Sequence, residues 1–285
     1  MADNHSILVT GATGQQGGAV ARELLAHGFK VKAMTRKPES ENALALKKKG
    51  AEIIKGDLDD PTSLEKALKG SWGVFAIQNT WEAGVEKEEE QGKRMAKIAK
   101  KAGVQHFVYS SVCSAEQNTG IPHFENKFRI EESVREQGFP SFTILRPVFF
   151  MENWLLPWFK PAIDQGNVMI SIKPETVLQM VAVNDIGKYG LWAFQNHESL
   201  NGEAISFAGD ALTAPEIAKI ISGASGRKIG FISPPIEEVR KGSEDFATML
   251  EWFDNVGYNA DIDGMANESG IKPTRFVDWA TRANW

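Results

Sequence analysis

The stretch ILVTGATGQQGGAV, residues 7–20, places an apolar run directly before three glycines that are spaced three residues apart. Residues 7–9 are typical of a short buried strand and residues 17–26 of a helix with one apolar face, so Gly11, Gly14 and Gly17 mark the turn between them. Such a turn aims backbone N–H groups and the positive end of the helix dipole at one point, which suits a phosphate. The spacing is a G-x-x-G-x-x-G form of the dinucleotide fingerprint, although glycines in such a turn can also be purely structural.

Strand-like and helix-like segments alternate after this turn. The predicted strands cover 7–9, 30–34, 51–55, 72–77, 104–110 and 142–145. The predicted helices cover 17–26, 40–49, 86–102 and 126–137, and a further helix opens at 60–63 and ends at Gly70. The charged residues of 86–102 are interpreted as a solvent-exposed face. This alternation indicates a parallel sheet with right-handed crossovers.

The regular alternation breaks after Arg146-Pro147. The following segment is aromatic, short strands are predicted near 176–183 and 204–208, and helices are predicted over 214–222 and 244–255. We therefore predict an α/β fold, with a Rossmann-type doubly wound parallel sheet in residues 1–152 and a smaller C-terminal α/β lobe formed mainly by residues 153–285. The two later strands are expected to join the first domain. A ligand cleft is expected where the carboxyl edge of the sheet meets the second lobe.

Composition excludes several classes of function. The chain has 285 residues, of which 42% are hydrophobic and 24% charged, which suits a globular protein with a large core. A formal net charge of −5 provides no basic field, so direct nucleic-acid binding is not expected. Cys113 is the sole cysteine, which rules out an intramolecular disulfide or a cysteine-based metal site and favours a small buried hydrophobe. No metal site is predicted.

The sequence shows no signal peptide and no membrane-spanning segment, which favours a location inside the cell. Six polar or small residues precede the first strand, which leaves no room for a signal peptide, and no apolar run reaches the length of a bilayer. The sequence predicts a cytoplasmic protein that does not act in a membrane, and a nuclear location is also compatible.

Six motifs in order resemble the NmrA-like family of atypical short-chain dehydrogenases, and most closely its redox-sensor branch. The motifs are TGATGQQGG (10–18), MTRKP (34–38), GDLDD (56–60), EEQGKRMAKIAKKAGVQHFVYSS (89–111), HFENK (123–127) and LRPVFFMEN (145–153). The resemblance implies a Rossmann lobe, a small C-terminal lobe and NADP(H) binding. It does not by itself imply catalysis, because the family contains both regulators and reductases.

The residues after the second strand favour NADP(H) over NAD(H). A Rossmann unit that binds NAD usually has an acidic residue there, which accepts a hydrogen bond from the ribose 2′-hydroxyl. This sequence has Arg36 and Lys37 instead, and a guanidinium can grip a 2′-phosphate with paired hydrogen bonds. The alternative is that both are ordinary solvated cations.

The resemblance also assigns the other cofactor contacts. In the glycine turn they include the intervening residues, Ala12, Thr13, Gln15 and Gln16. The family's adenine contact corresponds to Asp57, followed by Leu58, although Asp57 could equally cap the next turn. The loop after the fourth strand contributes Gln78, Asn79 and Thr80. The segment that passes the nicotinamide contributes Pro147, Phe149, Phe150 and Asn153, although aromatic residues at this spacing are also typical of a core.

The catalytic motif departs from the usual pattern. Short-chain dehydrogenases use Tyr-x-x-x-Lys, in which one helical turn places both side chains on the same face. That spacing here gives His123 and Lys127, and alignment of the preceding segment puts Val112 where the usual serine stands, after Ser110 and Ser111. Lys127 is expected to bind the nicotinamide ribose. His123 can donate a proton, but a histidine after a proline at a helix start can equally be structural.

Two classes of function follow from these residues. The favoured one is a redox-sensing regulator that responds to NADPH or NADP by changing its affinity for a protein partner, because the usual acid is missing. The alternative is an NADPH-dependent reductase of a quinone-like or other conjugated small molecule. A homodimer is compatible with either.

Overall fold

The structure is a computed structural model that describes residues 5–285. Its strands are β1 (Ser6–Val9), β2 (Lys30–Thr35), β3 (Glu52–Lys55), β4 (Gly73–Ala76), β5 (His106–Ser110), β6 (Ser141–Pro147), β7 (Phe149–Phe150), β8 (Asn167–Met169), β9 (Val177–Val181), β10 (Ala204–Phe207), β11 (Asp210–Thr213) and β12 (Gly230–Ile232).

The helices follow in the same chain order. They are α1 (Gln15–Ala26), α2 (Glu41–Lys48), α3 (Pro61–Leu68), α4 (Thr80–Ala83), α5 (Val85–Lys101), α6 (Pro122–Glu136), α7 (Lys160–Asp164), α8 (Val183–Gln195), α9 (Ala214–Ser225), α10 (Ile236–Gly242), α11 (Glu244–Asn255), α12 (Ile262–Ser269) and α13 (Phe276–Ala280), with 3-10 turns at Ala115–Gln117 and Met151–Leu155. Several begin at side-chain caps that the sequence suggests, for example Ser40 before α2 and Asp60 before α3.

The large sheet has the topology of a doubly wound α/β fold. Within residues 5–285, seven strands lie in the order β10–β6–β5–β4–β1–β2–β3, and every neighbouring pair is parallel. The chain therefore runs outward from β1 in one direction to β3 and in the other direction to β6 and β10. The predicted fold class is confirmed.

Alternating side chains of β1 show that both faces of the sheet are covered. Ile7 and Val9 point into an apolar cluster that also contains residues of α1 and α8, whereas Leu8 points into a cluster with residues of α3, α5 and α6. All three side chains are fully buried. Because strand side chains alternate between faces, the two clusters lie on opposite sides of the sheet. A strand buried on both faces reads as a continuous apolar run.

The C-terminal lobe has its own core and two small sheets. A third apolar cluster contains Trp154, Phe159 and Leu250, together with residues of α9 and α13. The small sheets have the orders β11–β9–β7 and β12–β8.

One predicted strand pairs elsewhere than expected. The segment near 204–208 joins the large sheet as β10, beside β6. The segment near 176–183 forms β9, which does not join that sheet but pairs with β7 and β11. The physical reason is that β10 takes the edge of β6, with Ile205 opposite Leu145, so β9 pairs instead with the short strand that follows β6.

The start of α6 also differs from the prediction. The helix begins at Pro122 rather than at 126, because proline suits the first helical position and Asp245 of α11 accepts a hydrogen bond from the backbone N–H of His123 at 3.0 Å. A cap supplied from another lobe has no local signal. None of the helices in residues 5–285 combines the length and apolar character needed to cross a membrane.

Candidate functional site

The candidate site lies at the carboxyl edge of the large sheet. In the order β4–β1–β2 the chain leaves β1 between strands that wind in opposite directions, and ligands of open α/β sheets bind in the crevice at such a point. The loops after β1, β2, β3, β4, β5 and β6 all emerge at this edge. These loops, the ends of the strands before them and the first two turns of the helices after them contain the residues that the sequence predicts as a site.

The glycine turn between β1 and α1 has the geometry of a phosphate cradle. Gly11 has φ of +57°, and Gly14 caps α1 with no side-chain hydrogen bond at the first turn. A Cβ atom on Gly17 would lie 2.4 Å from the carbonyl oxygen of Gly11, so only glycine allows the helix to sit this close to the turn. A Cβ atom on Gly14 would lie 3.2 Å from the same oxygen. Gly17 is therefore required for packing, whereas Gly14 is exposed and a Cβ atom there would be tight without being excluded.

Polar contacts tie the glycine turn to its neighbours. Ser110 at the end of β5 donates a hydrogen bond to Oε1 of Gln16 at 2.7 Å. Asn42 donates to the carbonyl oxygen of Thr13 at 2.9 Å, and Ala12 is buried while Gln15 is exposed. The turn is thus held between β5 and α2.

Arg36, which follows β2, pairs with Glu82 of α4. The two side chains are 57% and 54% exposed, so the pair lies at the surface. The hydrogen bond to Glu82 raises the pKa of the Arg36 guanidinium, and nearby Asp57 and Asp59 add to the effect. Lys37 is exposed and has no ion pair within residues 5–285. Arg36, rather than Lys37, is the cation with an organised environment.

Asp57 forms a local turn after β3. Its Oδ1 accepts a hydrogen bond from the backbone N–H of Asp59 at 3.0 Å, and its own N–H donates to Ser63. The capping alternative is therefore present in the structure, and the adenine contact stays a prediction. Leu58 is half-buried, and its carbonyl oxygen accepts a hydrogen bond from Arg94 at 2.8 Å.

The loop after β4 holds one unsatisfied side chain. Gln78 is 5% exposed, and both polar atoms of its amide are buried without a hydrogen-bond partner. Asn79 caps α4 by accepting from the N–H of Trp81, and Thr80 donates to Glu88. Buried amide atoms normally have partners, so the Gln78 side chain is an exception in this loop, and its role as a cofactor contact stays a prediction.

Glu88 of α5 is a buried carboxylate at the centre of this region. It accepts hydrogen bonds from Lys127 Nζ at 2.6 Å, from Asn126 Nδ2 at 2.9 Å and from Thr80. Burial alone would raise the pKa of Glu88, but the charge of Lys127 and these hydrogen bonds outweigh it, so the net pKa lies below the usual value. The interpretation of the charged run as a solvent-exposed face is wrong at Glu88. This residue lies one helical turn before Gly92 and two turns before Met95, so it falls on the buried face of α5.

The Lys127 side chain has a defined position, and its ammonium group is already paired with a carboxylate. Its side chain is 13% exposed and pairs with the fully buried Glu88. An ammonium group has three donors, so one is used by Glu88 and the others can serve hydroxyl groups of a ligand. The ribose-binding role stays a prediction.

His123 is held by Asp245 of α11. Its Nδ1 bonds to Oδ1 of Asp245, and its backbone N–H donates to Oδ2 at 3.0 Å. The ring lies 5.2 Å from the indole of Trp81, between centroids. A carboxylate on Nδ1 fixes the orientation of the ring and leaves Nε2 as the nitrogen that can exchange a proton.

A second buried ion pair anchors α6 to the sheet. Arg146 of β6 makes two hydrogen bonds to Glu131, at 2.9 and 2.6 Å, and a third contact to Glu116 at 2.8 Å. Together with the Glu88 contacts at Lys127, it holds the helix that carries His123 and Lys127 at two points about one turn apart. Such two-point anchoring suits a helix that must position reactive groups.

The segment after β6 passes from the sheet into the C-terminal lobe. Pro147 is buried at the end of β6, and Phe149 is 6% exposed and packs on Trp154. Phe150 and Asn153 are half-buried. Phe149 therefore has the surroundings of a core residue, and the cofactor contacts of this segment stay predictions.

A cleft of about 400 Å³ adjoins the glycine turn. Thr13, Gly14 and Gln15 line one side, and Glu152 and Asn184 line the other. Burial raises the pKa of the Glu152 carboxyl, which accepts hydrogen bonds from the N–H of Val183 and the indole of Trp279. Within residues 5–285 no group of His, Cys, Asp or Glu side chains has the arrangement of a metal site.

Three site residues were missed by the sequence reasoning. Glu88 could have been found by extending the apolar stripe of α5 backwards by seven residues from Met95. Glu82 and Asp245 had no such signal. Glu82 is 46 residues along the chain from its partner Arg36, and Asp245 is 122 residues from its partner His123.

Comparison with known proteins shows the family of this chain. The family model described as NmrA-like family matches residues 3–281. An NmrA-like family domain-containing protein of Dictyostelium discoideum is 31% identical over 266 residues, which cover 88% of each chain. The NmrA-like family domain-containing oxidoreductase malD of Malbranchea aurantiaca is 31% identical over 252 residues, which cover 79% of this chain and 74% of the relative.

A solved structure shows the same fold. The crystal structure of NmrA, a negative transcriptional regulator, in complex with NADP has a TM-score of 0.81 at 20% identity and covers 98% of this chain and 95% of that one. The family model matches nearly the whole chain, and the structure brings the glycine turn, Arg36 and the His-x-x-x-Lys helix to one edge of the sheet. The chain belongs to the NmrA-like family.

Proposed function

We propose that this chain binds NADP(H) at the carboxyl edge of the sheet and reduces a quinone-like or other conjugated small molecule. The observation that carries the proposal is the His123–Asp245 pair, one helical turn before Lys127. The sequence alone favours a sensor because the usual tyrosine is missing. An imidazole oriented by a carboxylate offers a replacement proton donor, which supports the reductase.

The residues of the site fit a dinucleotide. The glycine turn offers a helix N-terminus without a side-chain cap, and Gln78 offers a buried amide without a partner. We assign the pyrophosphate to the turn, the 2′-phosphate to Arg36 and the nicotinamide ribose to Lys127. The structurally similar regulator was crystallised with NADP and the relative malD is named an oxidoreductase, which supports NADP(H) as the ligand of this site.

The protein groups then have separate tasks. Bound NADPH supplies a hydride. Lys127 orients the ribose with the donors that Glu88 does not use. His123 in its imidazolium form would keep Nδ1–H on Asp245 and donate the proton on Nε2 to the anion that reduction leaves on a conjugated substrate, and solvent would return a proton to Nε2. Such a substrate stabilises its anion by delocalisation and so needs a weaker acid than an isolated ketone does.

A turnover screen tests the proposal. The purified protein is mixed with NADPH and a panel of quinones, aldehydes and ketones, and NADPH consumption is compared with product formation. We expect kcat above about 1 s⁻¹ on at least one quinone, the lower edge of ordinary enzymes. Binding of NADPH with no turnover on the whole panel would reject the reductase.

A redox-sensing regulator is the second candidate, and one observation favours it. Trp81 of the loop after β4 contacts both His123 and Phe246, so this loop joins the sheet domain to α11 of the C-terminal lobe. A cofactor that moves the loop would therefore change the surface of the second lobe. A switch of this kind must bind its ligand unequally in two conformations, and its output would be affinity for a regulatory protein partner.

Arg36→Ala is expected to weaken NADPH binding by about 2 kcal/mol, which is the scale of a hydrogen bond to a charged group. NADH has no 2′-phosphate, so its affinity should stay nearly unchanged. Calorimetric titration of both cofactors measures the two effects, with Lys37→Ala as the matched cation control. Equal losses for NADPH and NADH would reject the assignment of the 2′-phosphate to Arg36.

A further inference from the structure

The Glu82 carboxylate is paired with the Arg36 guanidinium, to which the 2′-phosphate of the proposed cofactor is assigned. Arg36 follows β2 and Glu82 follows β4, and these strands flank β1 on its two sides. The Arg36–Glu82 pair therefore spans the end of β1, across the crevice that starts at the glycine turn. We propose that Glu82 is an internal competitor that the 2′-phosphate must displace from Arg36, and that it limits the preference of this site for NADP(H) over NAD(H). This inference rests on the proposed NADP(H) site.

The exchange of partners is physically reasonable because the pair is exposed. Both side chains are more than half exposed, so water and ligand reach them, and ion pairs of this kind stabilise proteins only weakly. A phosphate carries more negative charge than a carboxylate and accepts paired hydrogen bonds from a guanidinium. The phosphate therefore displaces Glu82, but part of its binding energy is lost in breaking the existing pair.

The acidic surroundings of Arg36 strengthen this competition. Asp57 and Asp59 add to the negative field at the guanidinium, so an arriving phosphate meets carboxylates besides that of Glu82. NAD(H) carries no 2′-phosphate and leaves the Arg36–Glu82 pair intact. Glu82 thus penalises NADP(H) through the contested guanidinium, a route that does not affect NAD(H).

The test measures dissociation constants for NADPH and NADH by calorimetry at low salt. Glu82→Gln keeps the shape of the side chain and removes its charge. We expect it to tighten NADPH binding about three- to five-fold, which is the scale of an exposed ion pair, and to change NADH binding less than two-fold. Glu86→Gln, at the exposed start of α5, is the matched control for a loss of one negative charge nearby, and it should change neither constant more than two-fold.

A double substitution separates competition from other causes. In an Arg36→Ala background Glu82→Gln should have no effect on NADPH binding, because the contested guanidinium is gone. An unchanged NADPH constant in Glu82→Gln, an equal gain in Glu86→Gln, or a gain that persists without Arg36 would each overturn the inference. Wild-type protein that binds no NADPH would instead reject the proposed function itself.

Discussion

Lys127→Met is expected to lower the free energy of unfolding by about 3 to 5 kcal/mol at pH 8, the cost of leaving a buried charge without its partner. Glu88 is fully buried and would keep only the hydrogen bonds of Thr80 and Asn126. Urea denaturation followed by circular dichroism measures the loss. Without Lys127, burial is the dominant influence and should raise the pKa of Glu88 above its unfolded value. The deficit should therefore shrink as the pH falls towards 5, because the folded variant then takes up a proton.

Two further variants test whether the unpaired charge of Glu88 causes this loss of stability. Adding Glu88→Gln to Lys127→Met removes the unpaired charge and should recover at least half of the lost stability. Lys93→Met removes an exposed lysine on the same helix α5, and its partner Glu89 keeps Arg129 as a second partner, so the change should cost less than about 0.5 kcal/mol. A Lys127→Met protein as stable as the wild type at pH 8 would show that the Glu88 charge is not buried as the structure has it.

His123→Asn is expected to reduce kcat by roughly 10²-fold or more, the usual contribution of a general acid. The asparagine amide can still donate to Asp245, so the link between α6 and α11 is kept while the exchangeable proton of the imidazole is lost. NADPH affinity should stay within about 0.5 kcal/mol of the wild type, because His123 is not assigned to the cofactor. The measurement combines steady-state kinetics on the best substrate of the screen with calorimetric titration of NADPH.

The matching variant on the other side of the pair is Asp245→Asn. It should lower kcat with little change in KM, because the imidazole stays but is no longer held by a carboxylate. If His123→Asn turns over substrate at the wild-type rate, the proton comes from water or another group. His123 would then act only as a contact between the two lobes.

Local patterns in the sequence were sufficient for the fold. The apolar run before Gly11 predicts a strand buried on both faces, and Ile7, Leu8 and Val9 are fully buried. The helix predicted over 244–255 has the observed bounds Glu244–Asn255, with the N-cap Ser243 just before it. These features depend on neighbours within a few residues, so periodicity and caps contain the necessary information.

The sequence by itself determined the parallel sheet, the glycine turn and the candidate positions Arg36, His123 and Lys127. Only the tertiary structure decided what each of them contacts: Glu82 on Arg36, Asp245 on His123 and Glu88 on Lys127. It also decided that β9 pairs with β7 and β11 rather than with the large sheet. The physical reason is that strand and helix periods are set by local backbone geometry, whereas the partner of a charge depends on which distant segments the fold brings within hydrogen-bond distance.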